Sequence, residues 1–232
     1  GTPPIRPLVA PVASPPALAF NTLPQHYVWC DWLRSGAFGT NLLPAGAFDG
    51  VTPDTLAKAG WTNPGYQDAK IRAAVELVPP DGQDKSAPAR ILKATVAPAD
   101  PQNRDHLAAF LDHPAAAVQS PPVAVKGRQL VRIRVLVKMP RKLPAGAGGL
   151  IVRDSLGGET LQFRTTAAIP DWSEVTLLRR VPSDGELTVI LGLAGYGTAY
   201  FDDLRIEPLE TLRGDLAGPR AAPAPPAASR TN

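Results

Sequence analysis

Two runs of the chain place an apolar residue at every second position. They cover residues 129–139 and 187–193. A period of two puts alternate side chains on the same face of an extended strand, so each run predicts a strand with one buried apolar face. The apolar members are Val131, Ile133, Val135, Val137 and Met139 in the first run, and Leu187, Val189, Leu191 and Leu193 in the second.

Shorter runs, separated by turn residues, predict further strands. The turn at 155–159 contains two glycines, as a tight turn with positive φ requires, and the turn at 79–85 is rich in Pro, Gly and Asp. About eight to ten strands at this spacing predict an all-β fold, a two-sheet antiparallel β-sandwich of the jelly-roll type. The additional predicted strands are 71–78, 89–96, 149–154, 160–166 and 173–181.

The connections between these runs carry their own signals. A Gly-flanked turn at Tyr196 follows the 187–193 run, and we expect it to join two antiparallel strands as a hairpin. Thr52 before Pro53, with Gly60 as a stop, predicts a short helix. Residues 97–120 show no clean period, so they predict a long loop with one helical turn.

The last predicted strand contains an irregularity. Phe201, Leu204 and Ile206 cannot all lie on one face of a regular strand, because their spacing is not a multiple of two. We therefore expect a β-bulge at the consecutive carboxylates Asp202 and Asp203.

Both ends of the chain differ in composition from the middle. Residues 1–19 contain six prolines and predict an extended Pro-rich arm, and residues 211–232 predict a Pro/Ala-rich tail. An aromatic-rich connecting segment, 20–40, precedes a single sandwich domain at 41–210. We expect the arms to make few contacts with the sandwich, because Pro and Ala bury too little area to offset backbone ordering. Such arms are typical of a module tethered to something larger, or of segments that order on a partner.

Charge and cysteine content exclude several classes of function. The 232 residues include 24 basic and 21 acidic ones, a balance that does not favour a general nucleic-acid or membrane surface. The single cysteine, Cys30, excludes an internal disulfide framework. No apolar run approaches the ~18 residues of a membrane span. A basic stretch at 126–142 is interpreted as a solvated sheet face, neutralised by acidic residues of neighbouring strands.

The sequence contains no recognisable catalytic motif. It has no Gly-rich phosphate loop, no His-x-x-x-His pair and no Gly-x-Ser-x-Gly elbow. A glycosidase would need two carboxyl groups across a cleft, but the available ones lie in turns and are interpreted as turn formers. We therefore expect that the chain is not an enzyme. The carboxylates considered are Glu159, Asp171, Glu174 and Asp184.

Two phrases near the ends of the predicted domain resemble a known family. They are Asn41-Leu-Leu-Pro-Ala-Gly-Ala-Phe-Asp49, followed by Gly60-Trp61, and the closing Phe201-Asp-Asp-Leu204. These resemble galactose-binding-like jelly rolls, the β-sandwiches of many carbohydrate-binding modules in large exported bacterial proteins. The resemblance covers about residues 41–208 and implies a non-catalytic carbohydrate-binding accessory module of an exported protein or assembly.

Sugar recognition combines aromatic faces, which stack on the C–H faces of pyranose rings, with planar polar groups that bond hydroxyls. Trp61 and Tyr200 are further aromatic candidates, and we expect Trp61 to be buried under the sandwich, as the Gly-Trp pair usually is in the family. The predicted ligand-binding residues are Tyr66, Arg153, Asp154, Gln162, Arg164, Trp172 and Tyr196.

A structural Ca²⁺ ion is a further implication of the resemblance. Many of the similar modules hold Ca²⁺ between the first and last strands, and the matching positions here are Asp49, Asp202 and Asp203. Because calcium takes six to eight oxygens, backbone carbonyls and Asp81 or Asp84 would have to complete the site. The alternative is that Asp202 and Asp203 accept backbone N–H bonds at the bulge and need no ion.

A second function remains open at this stage. In it, the same sandwich and its arms dock on other protein subunits without binding sugar. The fold does not choose between a glycan partner and a protein partner, because galactose-binding-like folds serve both roles. An exposed platform of two or more aromatic residues would favour sugar.

Overall fold

The structure is a computed structural model. It describes residues 38–80, 89–100, 102, 113–144 and 147–209, together with the backbone of 6–8. Within these ranges no helix is long and apolar enough to cross a membrane. Residues 81–85 of the predicted turn at 79–85, the whole tail at 211–232, most of the N-terminal arm and most of the connecting segment lie outside the described residues.

β-strands dominate the described part of the chain. A 3-10 helix, Pro44–Ala47, and a short helix α1, Pro53–Lys58, precede most of them. The strands are β1 (Arg6–Leu8), β2 (Ile71–Val78), β3 (Ile91–Pro98), β4 (Ala116–Gln119), β5 (Val123–Val125), β6 (Leu130–Met139), β7 (Gly149–Asp154), β8 (Phe163–Thr165), β9 (Ile169–Arg180), β10 (Gly185–Leu187), β11 (Val189–Ala194) and β12 (Gly197–Pro208).

Two sheets form the sandwich, as predicted. The larger has six strands in the order β1-β9-β6-β12-β3-β2, and the smaller has four in the order β4-β11-β7-β8. A separate pair joins β5 to β10. Except for the parallel contact of β1 with β9, the pairings are antiparallel.

The apolar faces of the two sheets meet in one core. The alternating residues of β6 are fully or almost fully buried, and those of β11 are fully buried. Both predicted faces are buried in the same hydrophobic cluster, although the run 187–193 is divided between two strands: Leu187 belongs to β10, which pairs with β5, and the rest to β11. The core residues contributed by these strands are Val131, Ile133, Val135, Val137, Met139, Val189, Leu191 and Leu193.

The predicted hairpin at Tyr196 is wrong. β11 pairs with β4 and β7, whereas β12 pairs with β3 and β6. The turn, with Gly195 at φ 139°, therefore carries the chain from the smaller sheet to the larger one. Both strands find long partners from elsewhere in the chain, and those partners occupy the edges that a hairpin would use. β2 pairs with β3, and β7 pairs with β8, both in antiparallel fashion.

The predicted bulge in β12 is confirmed. The register with β6 shifts between Asp202 and Arg205, and Asp203 has a φ of 48°. The extra residue turns Phe201, Leu204 and Ile206 to the same side, and all three are fully buried.

Of the elements in the connecting segments, the sequence predicted helix α1 correctly and missed strand β4. Helix α1 begins after Thr52, whose hydroxyl accepts the N–H of Thr55 in a reciprocal capping box. The predicted loop at 97–120 contains strand β4, which was missed. Because Ala116–Val118 are all buried, the strand shows no alternation of apolar and polar residues. Two of its four residues are alanine, which does not favour a strand.

The described parts of the chain ends lie against the sandwich. Phe38 forms a β-bridge with Leu209, so the segments entering and leaving the domain meet at one place. Arg6–Leu8, within the predicted arm, pair in parallel with Ser173–Val175 of β9. This contact departs from the expectation that the arm would touch its own sandwich little, and it arises because β9 is otherwise the edge strand on that side.

Candidate functional site

The outer face of the four-stranded sheet gathers several of the predicted ligand-binding residues. Leu191 and Val152 point into the core, so their neighbours Ile190 and Arg153 point away from it. We call this surface the Arg153 face. It consists of Gln119, Ile190, Arg153 and Gln162 in one row across the strands, and of Arg164 in the next row, where its register partner Ile151 is fully buried.

Hydrogen bonds hold the Arg153 guanidinium in place. Its Nε donates to Gln162 Oε1 at 3.0 Å, and its Nη1 lies 2.9 Å from Glu159 Oε1. The Arg153 side chain is 13% exposed, whereas that of Glu159 is 56% exposed at the rim. A planar donor fixed in this way can meet a ligand hydroxyl with little loss of side-chain entropy.

Arg164 lies in the second row, opposite Ile151. Its Nε donates to the carbonyl oxygen of Gly148. Gly149 allows this approach, because it has a φ of 104° and a side chain there would press on the backbone of Thr165. The arrangement fixes a second planar group on the same face.

Two predicted tyrosines lie at one end of this sheet. The Tyr66 N–H donates to the Pro114 carbonyl just before β4, and Tyr66 is 36% exposed. Tyr196 follows the end of β11, which pairs with the start of β4. Burial and the charge of Asp68 raise the pKa of Tyr196. The end of the sheet nearest Arg164 therefore carries two aromatic rings.

Asp154 does not belong to the Arg153 face. It is the next residue of β7 and points inward, where it is 1% exposed. Its Oδ1 accepts the N–H groups of Leu156 and Gly157, and its Oδ2 binds Arg179 at 2.7–2.8 Å. Because both oxygens are engaged in the interior, we remove Asp154 from the candidate ligand set.

The predicted tryptophans lie elsewhere. Trp172 is on β9, in the six-stranded sheet, and is half-buried. Trp61 is 5% exposed and packs against Phe48 with ring centroids 5.3 Å apart, which confirms its expected burial. Its Nε1 has no hydrogen-bond partner among the described residues. Trp61 is therefore part of the core, and Trp172 belongs to a different surface.

Sequence reasoning missed two members of the Arg153 face. Gln119 and Ile190 lie side by side in register and continue the row that Arg153 and Gln162 begin. Gln119 was overlooked because β4 was predicted as loop. Ile190 stands in a strand whose outer face carried no polar signal. The useful signal for Gln119 was the short apolar run directly before it, bounded by prolines.

The candidate calcium residues fit a cation only in part. Burial raises the pKa of Asp202 to about 6, the N–H bond from Asp203 lowers it, and the charges of Asp203 and Asp49 raise it again. Asp203 Oδ1 receives Arg205 Nε at 2.7 Å, so its charge already has a partner. No group of three acidic, His or Cys side chains in the described ranges could hold a metal. Asp49 and Asp202 would need backbone oxygens to complete a site.

Two arginines of the basic stretch on β6 are neutralised by acidic residues of neighbouring strands. Arg134 binds Glu174 of β9 at 3.0 Å and Glu207 of β12 at 3.2 Å. Arg132 binds Glu207 at 2.6 Å and lies 3.3 Å from the centre of the Phe38 ring. For Arg132 and Arg134, this network agrees with the interpretation of the stretch as a balanced sheet face.

The carboxylates considered for catalysis are separated and mostly occupied. Glu159 pairs with Arg153, and Glu174 pairs with Arg134. Asp184 accepts the N–H of Gly127 in a turn, and Asp171 is exposed on β9. This placement on different sheets and turns favours structural roles for them.

Comparisons with known proteins are limited to shape. No protein-family model matches the chain, and no curated protein matches it either. A CBM22-1–GH10 structure of Clostridium thermocellum xylanase 10B with xylohexaose is 16% identical, with a TM-score of 0.41 over 76% of this chain; the chain spans 29% of that protein. The CBM22-1 xylan-binding domain of Paenibacillus barcinonensis Xyn10C is 16% identical, with a TM-score of 0.39, and 76% and 97% of the two chains are covered.

A third similar structure is described as a family 4 carbohydrate-binding module. It is 17% identical, with a TM-score of 0.45, and 72% of this chain and 99% of that one are covered. All three TM-scores lie below 0.5, so the assignment of a β-sandwich rests on the sheet topology of this chain itself.

Proposed function

We propose that this chain is a non-catalytic carbohydrate-binding module that holds a glycan on the Arg153 face. The observation that carries the proposal is the convergence of Arg153, Gln162 and Arg164 on one sheet face, with Tyr66 exposed at its end. The planar groups are oriented by hydrogen bonds to the protein, and strands rather than loops position most of them.

The chemistry of this face suits sugars. Arg153 and Arg164 offer fixed N–H donors, and Gln162 and Gln119 offer both donors and acceptors for hydroxyl groups. Ile190 lies between the polar groups and supplies apolar surface against ring C–H groups. A ring stacked on Tyr66 would bury more apolar area at the end of the row.

The described chain ends support an accessory role in a larger exported protein or assembly. Phe38 and Leu209 form a β-bridge, so the sandwich itself begins and ends at one place. A module that docks on protein subunits through its arms is the alternative outcome of the test.

Binding to soluble xylan, mixed-linkage β-glucan and β-1,4-galactan tests the proposal, measured by affinity electrophoresis and calorimetry. We expect the wild-type protein to bind at least one of them. Arg153→Ala and Gln162→Ala should weaken that binding about tenfold or more, because each removes a hydrogen-bonding group worth about 1.4 kcal/mol. Arg180→Ala, an exposed substitution on the other sheet, is the matched control and should bind as wild type.

Two results would overturn the proposal. One is that no glycan on a broad array binds the wild-type protein, while a protein partner is captured only when the arms are present. The other is that a glycan binds but neither Arg153→Ala nor Gln162→Ala changes its affinity.

A further inference from the structure

The two edges of the six-stranded sheet differ. On one side β1 lies against β9, and its central residue, Pro7, has no N–H to offer to a further strand. On the other side β2 is the last strand and pairs only with β3. It has eight residues, Ile71–Val78, with no Pro, no Gly and no break in its register. Within the described part of the chain, β2 therefore presents a long and regular edge.

The backbone of β2 has unused hydrogen-bonding groups on that edge. In an antiparallel pair, alternate residues exchange bonds with the partner strand, and the residues between them direct N–H and C=O to the other side. The Ala99 N–H donates to the Lys70 carbonyl at 2.9 Å, in line with the β2–β3 register, so the even-numbered residues of β2 bond to β3. Ala73, Val75 and Leu77 therefore direct their backbone groups outward, where no described residue pairs with them.

The two charged side chains of this edge have opposite signs. Arg72 and Glu76 are both exposed, and they share one face of β2 because they are four residues apart. Glu76 lies opposite Lys93 of β3 in the register. Even so, neither Arg72 nor Glu76 forms an ion pair with any of the described residues.

The antiparallel image of β2 matches β2 in backbone and in charge. Outward backbone groups must face outward groups, so odd-numbered residues of one copy must lie opposite odd-numbered residues of the other. A twofold axis through Ala74 satisfies this condition, because it sets Ala73 of each copy opposite Val75 of the other, where they exchange both hydrogen bonds. The same axis sets Arg72 of each copy opposite Glu76 of the other. Two symmetric ion pairs then flank the axis.

Other registers match less well. The axis through Ala74 also sets Ile71 opposite Leu77, so apolar residues meet on the second face of the strand. An axis through Val75 leaves both charged residues without an opposite charge across the strands. An axis through Ala73 pairs Glu76 with Lys70, but it leaves Arg72 opposite an alanine and Leu77 beyond the paired region. The register centred on Ala74 therefore uses most of the strand and both of its charges.

We propose that the edge of β2 is a homodimer interface, at which two copies of this chain join their six-stranded sheets into one continuous antiparallel sheet. A twofold interface uses the same patch on both partners, so it requires a self-complementary strand, which β2 is. The occupant is a second copy because β2 meets its own charges in that copy. The proposal is independent of the Arg153 face, which lies on the four-stranded sheet.

Sedimentation velocity of the full chain over a wide range of concentrations tests the interface. We expect a reversible dimer that increases with concentration. Arg72→Glu and Glu76→Arg each set like charges opposite each other on both sides of the axis, so each should weaken the dimer about tenfold. An equimolar mixture of these two variants should associate again, because the acidic pair of one copy then faces the basic pair of the other. Arg180→Glu, the same change at an exposed position of β9, is the matched control and should dimerise as wild type.

Cysteine substitutions test the register in a Cys30→Ser background. Ala74→Cys should give a disulfide-linked dimer on oxidation, because a non-hydrogen-bonded pair on the axis has its Cα atoms about 4.5 Å apart. Ala73→Cys should stay unlinked, since the two positions would be about 8 to 9 Å apart. Ala73→Pro removes an outward N–H but no bond to β3, so it should be monomeric, with a melting temperature within a few degrees of the wild-type monomer.

Four results would overturn the inference. The first is a full chain that stays monomeric at every concentration, and the second is a dimer that Ala73→Pro and the charge variants leave unchanged, which would use another surface. The third is a mixture of Arg72→Glu and Glu76→Arg that associates no better than either variant alone. The fourth is a disulfide-linked dimer with Ala73→Cys and none with Ala74→Cys.

Discussion

At the scale of single residues, adjacent positions of β7 have opposite roles. Arg153 faces outward and offers its guanidinium to the Arg153 face. Asp154 faces inward and joins the β7–β8 connection to Arg179 of β9 in the other sheet. The sequence placed both among ligand-binding candidates because both are polar, but the pleat sends them to different environments.

Asp154→Ala should be strongly destabilising. It leaves the Arg179 guanidinium, 11% exposed, without its anionic partner, and removal of one member of a buried pair costs about 3–5 kcal/mol. Urea unfolding would measure the change in the free energy of unfolding. Arg180→Ala is the control, expected within about 0.5 kcal/mol of wild type. The double variant with Arg179→Met should recover part of the loss; a loss below about 1 kcal/mol for Asp154→Ala alone would contradict the buried-pair role.

Asp202→Asn should stabilise the calcium-free protein near neutral pH. Burial raises the folded-state pKa of Asp202 from 3.8 to about 6, so ionisation costs more in the folded state than in the unfolded state. Stability linked to this group is fully present below about pH 4 and is lost as pH rises through 6. The gain from Asn, which keeps the amide oxygen as an acceptor for the Asp203 N–H, should therefore appear above pH 6 and vanish near pH 4.

Thermal melting in chelator across this pH range measures the effect. After allowance for solvent screening, we expect about 1 kcal/mol at pH 7.5. An Asp202→Asn protein that is less stable than wild type at pH 7.5, or equally changed at every pH, would contradict the raised pKa.

At the scale of elements, the 3-10 helix Pro44–Ala47 seals the bulged part of β12. Gly46 lies directly on the backbone of Leu204, so closely that a Cβ there would overlap the Leu204 carbonyl oxygen. Asn41 fixes the approach, because its Oδ1 accepts the N–H groups of Leu43 and Ile206. The opening phrase of the domain and its closing strand therefore form one packed unit.

Gly46→Ala should destabilise this unit by about 1–3 kcal/mol, because the methyl group must push the 3-10 helix away from β12. Gly185→Ala is the matched control, since its nearest neighbour, the Ser183 oxygen, is 4.0 Å from the added Cβ. Chemical denaturation of the two variants provides the comparison. Equal stabilities would show that the helix does not rest on β12 as described.

Calcium should stabilise the same unit if it binds between Asp49 and Asp202. Their like charges repel in the folded protein, and a divalent cation would reverse the sign of that interaction. We expect millimolar calcium to raise the melting temperature relative to chelator. At a calcium concentration of 100 times Kd, binding adds about 2.7 kcal/mol to the free energy of unfolding. Asp49→Ala should abolish the difference, and exposed Asp171→Ala should retain it. Identical wild-type melting curves in calcium and in chelator would show that no stabilising calcium site exists here.

At the scale of the whole molecule, one core joins both sheets, so residues 38–209 should unfold as a single cooperative unit. Trp61, in the core, and Trp172, on the outer face of the six-stranded sheet, report from different places. Two proteins, each retaining one of these tryptophans with the other three replaced by Phe, should give coincident fluorescence and circular-dichroism transitions. Separate midpoints for the two probes would show independent units.

The sequence by itself determined the local features of this protein. Alternation in β6 and β11 identified strands and their buried faces, and the spacing of Phe201, Leu204 and Ile206 identified the bulge, because side-chain direction in a strand depends only on position along the chain. Capping of α1 by Thr52 was equally local. The polar candidates of the Arg153 face were identified only from the chemical type of their side chains, without knowledge of their positions.

Only the tertiary structure decided which strands pair and which polar residues meet. β11 and β12 are consecutive in the chain but lie in different sheets. Strand β4 forms because Thr62 and β11 pair with residues 116–119, a run too short and too apolar to be recognised as a strand from the sequence. Gln119 joins Arg153 across two strand pairings. The physical reason is that strand pairing depends on contacts between residues far apart in sequence, which no local period encodes.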